Sequence, residues 1–138
     1  MKMETCSALE LLPPALDWAV AHALGLTTQW SGPDSAFRVI EDREGVPVFL
    51  GYISTEGIDD VEDYTPSTSW VYGGPLLSKH AVGLLPPEQS KSGKWQAHCV
   101  DASYDEFNHA DSALIALCRC IVAEGSGYEV EVPVRLLP

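Results

Sequence analysis

The sequence predicts an α+β fold: a compact single domain in which a small, mainly antiparallel sheet packs with two main helices. Three observations carry this. Apolar residues recur at helical spacing in two stretches, residues 14–24 and 112–124. Between and after them lie short runs rich in β-formers and bounded by turn residues. Neither an internal repeat nor a linker divides the 138 residues, a length that suits one domain.

The first helix is expected from about Pro14 to Leu24, because proline's fixed φ and missing N–H are tolerated in a first turn. Leu16, Ala19, Val20 and Ala23 form its buried stripe, Trp18 and His22 lie on the flank, and Gly25 suits the C-terminal cap. Residues 36–41 place Phe37 and Val39 on one face of a strand. After the turn Asp42-Arg43-Glu44-Gly45, residues 46–53 form a second strand, and the two pair as a hairpin. Pro47 belongs at an edge or a strand end, since it gives no N–H to a ladder. Residues 54–63 read as an acidic connector, 64–77 as a loop and 86–94 as a polar loop. Residues 95–100 form a strand with Trp95, Ala97 and Cys99 on one face. The second helix runs from about Ser112 to Glu124, capped by Asp111 or Ser112. Leu114, Leu117, Cys118 and Ile121 make its core stripe, and Gly125 ends it. Residues 128–132 alternate as a closing strand that Pro133 stops.

With 20 acidic and 8 basic residues, the chain carries a net charge of −12. Phosphate backbones are bound by neutralising them with Lys and Arg, so no direct nucleic-acid binding is expected. The acidity serves solubility or association with a basic partner. No apolar run approaches the ~18 residues of a membrane span, and residues 1–6 lack the basic-then-apolar order of a secretory signal. A cytoplasmic protein without a membrane partner is expected. Cys6, Cys99, Cys118 and Cys120 are then free thiols, buried as small hydrophobes. Cys118 and Cys120 sit two apart on a helix and do not face each other, so no shared metal is expected. The apolar content allows a homo-oligomer.

Catalytic signatures are missing from the sequence. It has no nucleophile elbow, zinc helix, glycine-rich dinucleotide turn, phosphate loop or deaminase pattern. His22, His80, His98 and His109 are scattered. No enzyme, no catalytic residue, no metal and no cofactor is expected.

The most unusual stretch is residues 64–77. Tyr64, Trp70 and Tyr72 are aromatics with polar handles, and Ser67, Thr68 and Ser69 supply hydroxyls. Gly73 and Gly74 let a backbone approach closely. Pro66 and Pro75 stiffen the ends. A loop of this kind offers stacking faces and donors to a small polar ligand. Arg119 stands in an otherwise apolar helix, where a guanidinium needs an anionic partner. The candidate ligand-binding residues are therefore Tyr64, Ser67, Thr68, Trp70, Gly73, Gly74 and Arg119. The competing reading is structural: the aromatics fill the core, Gly73-Gly74-Pro75 turns the chain, and Arg119 faces solvent or pairs with Asp111 or Glu124.

Taken in order, Leu16–Ala21, Tyr64–Leu77 and Ala113–Glu124 continuing to Pro133 resemble the phage NinX-like family. The pattern is S-P-S-T-x-W leading into G-G-P, then a helix containing R-C, then a valine-rich acidic strand. Thr65 stands where the family usually has serine, and residues 100–110 look like an insertion. The resemblance implies a single NinX-like domain over residues 1–138 and a phage or prophage protein acting in the host cytosol. It implies no reaction.

Two functions follow as expectations. One is a non-enzymatic binding domain for a small anionic, nucleotide-like ligand held by the seven residues above. The other is an acidic module that blocks a basic host protein surface, motivated by the net charge and by Glu56, Asp59, Asp60, Glu62 and Asp63. A third, a hydrolase or transferase whose site assembles only in the fold, would need converging His, Asp or Glu side chains.

Overall fold

The computed structural model describes residues 1–55, 63–99 and 109–138. Glu56, Asp59, Asp60 and Glu62 of the acidic connector, Val100 and most of the 100–110 insertion lie outside the described residues. In chain order the elements are β1 (Met3–Ser7), α1 (Ala15–Ala23), β2 (Thr27–Ser31), β3 (Ala36–Arg43) and β4 (Val46–Ile53). There follow α2 (Trp70–Lys79), β5 (Val82–Leu85), β6 (Trp95–Cys99), β7 (His109–Ala110), α3 (Ala113–Ser126) and β8 (Glu129–Pro133). Short 3-10 turns span Ala8–Glu10 and Val134–Leu136.

The fold is α+β, with two differences from expectation. Among the described residues the strands form three small antiparallel sheets, β1-β8, β2-β3-β4 and β5-β6-β7. A third helix, α2, stands where a loop was expected.

Helix α3 is the centre of the molecule. Leu114, Ala116, Leu117, Cys118, Cys120, Ile121 and Val122 are all buried, which covers nearly its whole circumference. It packs on α1, α2 and β6. Ser112 caps it, its Oγ accepting from the Ile115 N–H at 3.3 Å. The helix runs past Gly125, the expected terminus, to Ser126. Gly125 is helical and faces α1 closely: a Cβ there would lie 3.0 Å from the Ala23 Cβ. Gly127, at φ 93°, is the residue that leaves the helix.

Helix α1 buries Ala15 through Ala21 without interruption. That run includes the Asp17 carboxyl. The preceding Pro13–Pro14 bond is cis. Trp18 stacks on His22 with ring centroids 3.8 Å apart, and Gly25 turns the chain at φ 78°.

Strands β3 and β4 form the expected hairpin. Glu44 (φ 55°) and Gly45 (φ 85°) take the two positive φ values of a type I′ turn. Asp42 Oδ1 accepts the Gly45 N–H at 2.7 Å. Pro47 lies on β4, an edge of its sheet, where its missing N–H breaks no ladder. Strand β2 pairs with the other side of β3. The Arg135 guanidinium lies 4.0 Å from the Trp30 ring centroid and fastens the residues after β8 to β2.

Helix α2 exists because of what it packs on. The Thr65 carbonyl accepts N–H groups from Thr68 (3.1 Å) and Ser69 (2.8 Å), a turn that leads into the helix. Where α2 passes Pro66, a Cβ at Gly73 would overlap the Pro66 carbonyl oxygen and sit 2.7 Å from Leu114 Cδ2. Only glycine lets the helix seat there. Pro75 withholds the N–H that would bond the Val71 carbonyl, but Val71 is 78% exposed, so water can take that place. Among the described residues no helix is long and apolar enough to cross a membrane.

Candidate functional site

The seven residues picked from the sequence do not meet in one hollow. Tyr64 and Ser67 are buried. Thr68 is exposed and belongs to the turn before α2. Trp70 opens α2 and is 54% exposed. Gly73 is buried under Pro66 and Leu114, and Gly74 lies beside the Trp70 ring. Both glycines serve a helix, not a ligand-cradling loop. Arg119 is half-buried on α3: its Nε donates to the Leu11 carbonyl at 3.1 Å and its Nη1 to the His109 carbonyl at 2.9 Å. Five residues separate it from Leu114, so it leaves α3 roughly 140° around from the side that meets Gly73. It joins the turn before α1 to β7 and faces away from the aromatic segment. Burial pulls its pKa down, while Asp111 and Glu10 oppose that.

The structure assembles a different site around Tyr64 and Thr68. A hollow of about 280 Å³ opens between the start of α1, the end of β4 and residues 63–68. Pro13, Pro14 and Asp17 form one wall, Tyr52 to Thr55 a second, and Asp63, Tyr64, Thr65 and Thr68 a third. The walls are tied together by backbone. The Tyr64 N–H donates to the Tyr52 carbonyl at 2.8 Å, and Asp63 bridges to Tyr52 in parallel. The Tyr64 ring meets Tyr72 edge-on at 5.4 Å, and the Tyr72 hydroxyl donates to the Leu50 carbonyl at 3.2 Å.

Asp17 is the anchor of this arrangement. It is 2% exposed, and its Oδ1 accepts the Ser67 N–H at 2.8 Å. That bond crosses from α1 to the turn before α2. Burial pushes the Asp17 carboxyl up to about 6, although its contacts with Ser67 favour the charged form. Desolvation also holds the Tyr64 hydroxyl and the Cys118 thiol nearby well above their ordinary ranges. Both stay protonated.

The chemical character of the hollow is acidic and hydroxyl-rich. Asp63 Oδ1 and Ser54 Oγ are buried without a hydrogen-bond partner. Lys, Arg and His are missing from the described residues that line it. Such a lining accepts hydrogen bonds and positive charge. Among the described residues, no three His, Cys, Asp or Glu side chains gather as metal ligands do.

Asp17 was not singled out from the sequence, and Asp63 was named there only as one of five acids of the connector. A signal for Asp17 was present: it is the lone charge in the apolar run Ala15–Ala21, as Arg119 is in α3. Asp63 carried no such mark among its acidic neighbours.

A family model with the description "Bacteriophage P22, NinX" matches residues 8–125. The match spans α1, the walls of the hollow, α2 and nearly all of α3. No curated protein matches the chain.

Proposed function

The chain belongs to the phage NinX family, and from that premise we propose that this phage accessory protein works by binding and not by catalysis, docking its acidic surface on a basic host protein in the cytosol. A lysine or arginine side chain of that partner enters the hollow beside Asp17 and Asp63. The hollow itself is the observation that carries this reading: two carboxylates, a ring of hydroxyls and two tyrosines, with no cation among the described lining residues. The chain's net charge of −12 points the same way.

A small anionic ligand fits this site poorly. An anion about 4 Å from each carboxylate would meet roughly 1–4 kcal/mol of repulsion per pair. Arg119, the cation that reading needs, donates to two carbonyls elsewhere.

Calorimetric titration of the full chain with an oligoarginine peptide at low salt tests the proposal. Asp63→Asn is expected to weaken binding by roughly fivefold or more. Glu44→Gln, an exposed acid in the β3–β4 turn, is expected to change it by less than about twofold. Equal losses from both variants would reduce the effect to unspecific charge and overturn the proposal. So would absence of binding at low salt, or thermal stabilisation by nucleotides with none by the peptide.

A further inference from the structure

Cys99 ends β6 and Cys120 lies in the middle of α3. Both side chains are buried, and their sulfurs stand 2.7 Å apart. Packed, non-bonded heavy atoms settle at ~3.5–4 Å, so these two are held in unusually close contact. A formed S–S bond is ~2.05 Å, which leaves a gap of roughly 0.7 Å. The two cysteines come from different elements and lie 21 positions apart. Cys118 is also buried on α3, but it lies near Asp17 and Tyr64.

We propose that Cys99 and Cys120 are an oxidisable modification site: a dithiol that hydrogen peroxide slowly closes to a disulfide, locking α3 to the β5-β6-β7 sheet. The co-reactant is a small hydroperoxide. One thiolate attacks the peroxide oxygen, the O–O bond breaks, and a sulfenic acid and hydroxide form. The second sulfur attacks the sulfenic sulfur, the S–O bond breaks, and hydroxide leaves to be protonated. In sum, two thiols and one hydrogen peroxide give one disulfide and two waters. Both sulfurs are oxidised and both peroxide oxygens are reduced. Burial, with Cys120 and Glu124 adding to it, keeps the Cys99 thiol protonated, so closure is slow and the reduced pair persists in a reducing cell. This role is independent of the acidic hollow.

The test treats the native full chain with hydrogen peroxide and follows intact mass, peptide linkage and melting. Cleavage after Glu106 and after Arg119 places Cys99, Cys118 and Cys120 on three separate peptides. The expected product has lost about 2 Da and joins the Cys99 peptide to the Cys120 peptide. It melts roughly 10 °C higher, because the cross-link constrains the unfolded chain, and dithiothreitol reverses the rise. Cys99→Ala and Cys120→Ala each abolish the shift. The proposal is overturned if Cys118 carries the link, if only oxygen adducts or Cys6 dimers form, or if Cys99 and Cys120 both stay reduced under treatment that oxidises the half-buried Cys6.

Discussion

At Asp17 two effects oppose each other. It lies in the first turn of α1, where the helix dipole favours a negative charge by about 0.3–1 kcal/mol. Burial disfavours that charge by more, so the carboxyl is raised from 3.8 to about 6. The folded state then holds the proton more tightly than the unfolded state does. Its contribution to stability is most favourable below about pH 4 and is lost as the pH rises through about 6, a swing of about 3 kcal/mol. Asp17→Asn keeps an acceptor for the Ser67 N–H and removes the charge. The variant is expected to be more stable than the parent by up to about 3 kcal/mol at pH 8, with the difference vanishing near pH 4. Urea unfolding at the two pH values checks this, and a parent that equals or exceeds the variant at pH 8 refutes it. The same substitution is expected to weaken oligoarginine binding, so stability and affinity move in opposite directions.

Adjacent glycines in α2 separate packing from propensity. Gly73→Ala gains up to about 1 kcal/mol of helix propensity. It also forces a methyl group against the Pro66 carbonyl and Leu114, and neither a backbone oxygen nor a buried leucine yields easily. A net loss of about 2 kcal/mol or more is expected. At Gly74 the methyl would meet only the Trp70 ring, at 3.6 Å, an ordinary contact. Gly74→Ala is expected to stabilise by about 0.5–1 kcal/mol. Denaturant midpoints for the pair decide the matter, and shifts of the same sign would contradict the packing described.

This contrast also marks what could be read in advance. Elements built on periodicity were legible: α1, the β3–β4 hairpin with its Asp42–Gly45 turn, β6, α3 and β8. Helix α2 was not, because Trp70 to Pro75 mixes aromatic, β-branched, glycine and proline residues that local propensity assigns to a loop. Its helix rests on a tertiary fit at Pro66 that no single-chain pattern displays. Strands β1, β2 and β5 were missed for a related reason. They are short, and β1 and β2 are largely exposed, so pairing alone defines them. Of the site, Tyr64 and Thr68 were identified from their chemistry. Asp63 adjoins Tyr64 in the chain, but the Asp17 carboxyl on the facing wall arrives from α1, and only the fold brings it to them.

For the molecule as a whole, a charge of −12 on 138 residues means self-repulsion in the folded state. Among the described residues, two ion pairs form, Arg43 with Glu41 and Lys94 with Asp111, and both are exposed. Exposed pairs of this kind stabilise little. Screening is therefore expected to help: raising sodium chloride from about 20 mM to about 500 mM should lift the melting temperature by a few degrees. A melting temperature that falls with salt would mean that attractive pairs dominate after all.

Strands β1 and β8 are antiparallel, with Met3 opposite Pro133 and Ser7 opposite Glu129. A pull applied just outside Met3 and Pro133 therefore loads the ladder at one end only. Its hydrogen bonds give way one after another, like a zipper, and do not share the tension as they would in shear. The β1–β8 ladder itself therefore resists little along this axis, however stable the core around α3 is at rest.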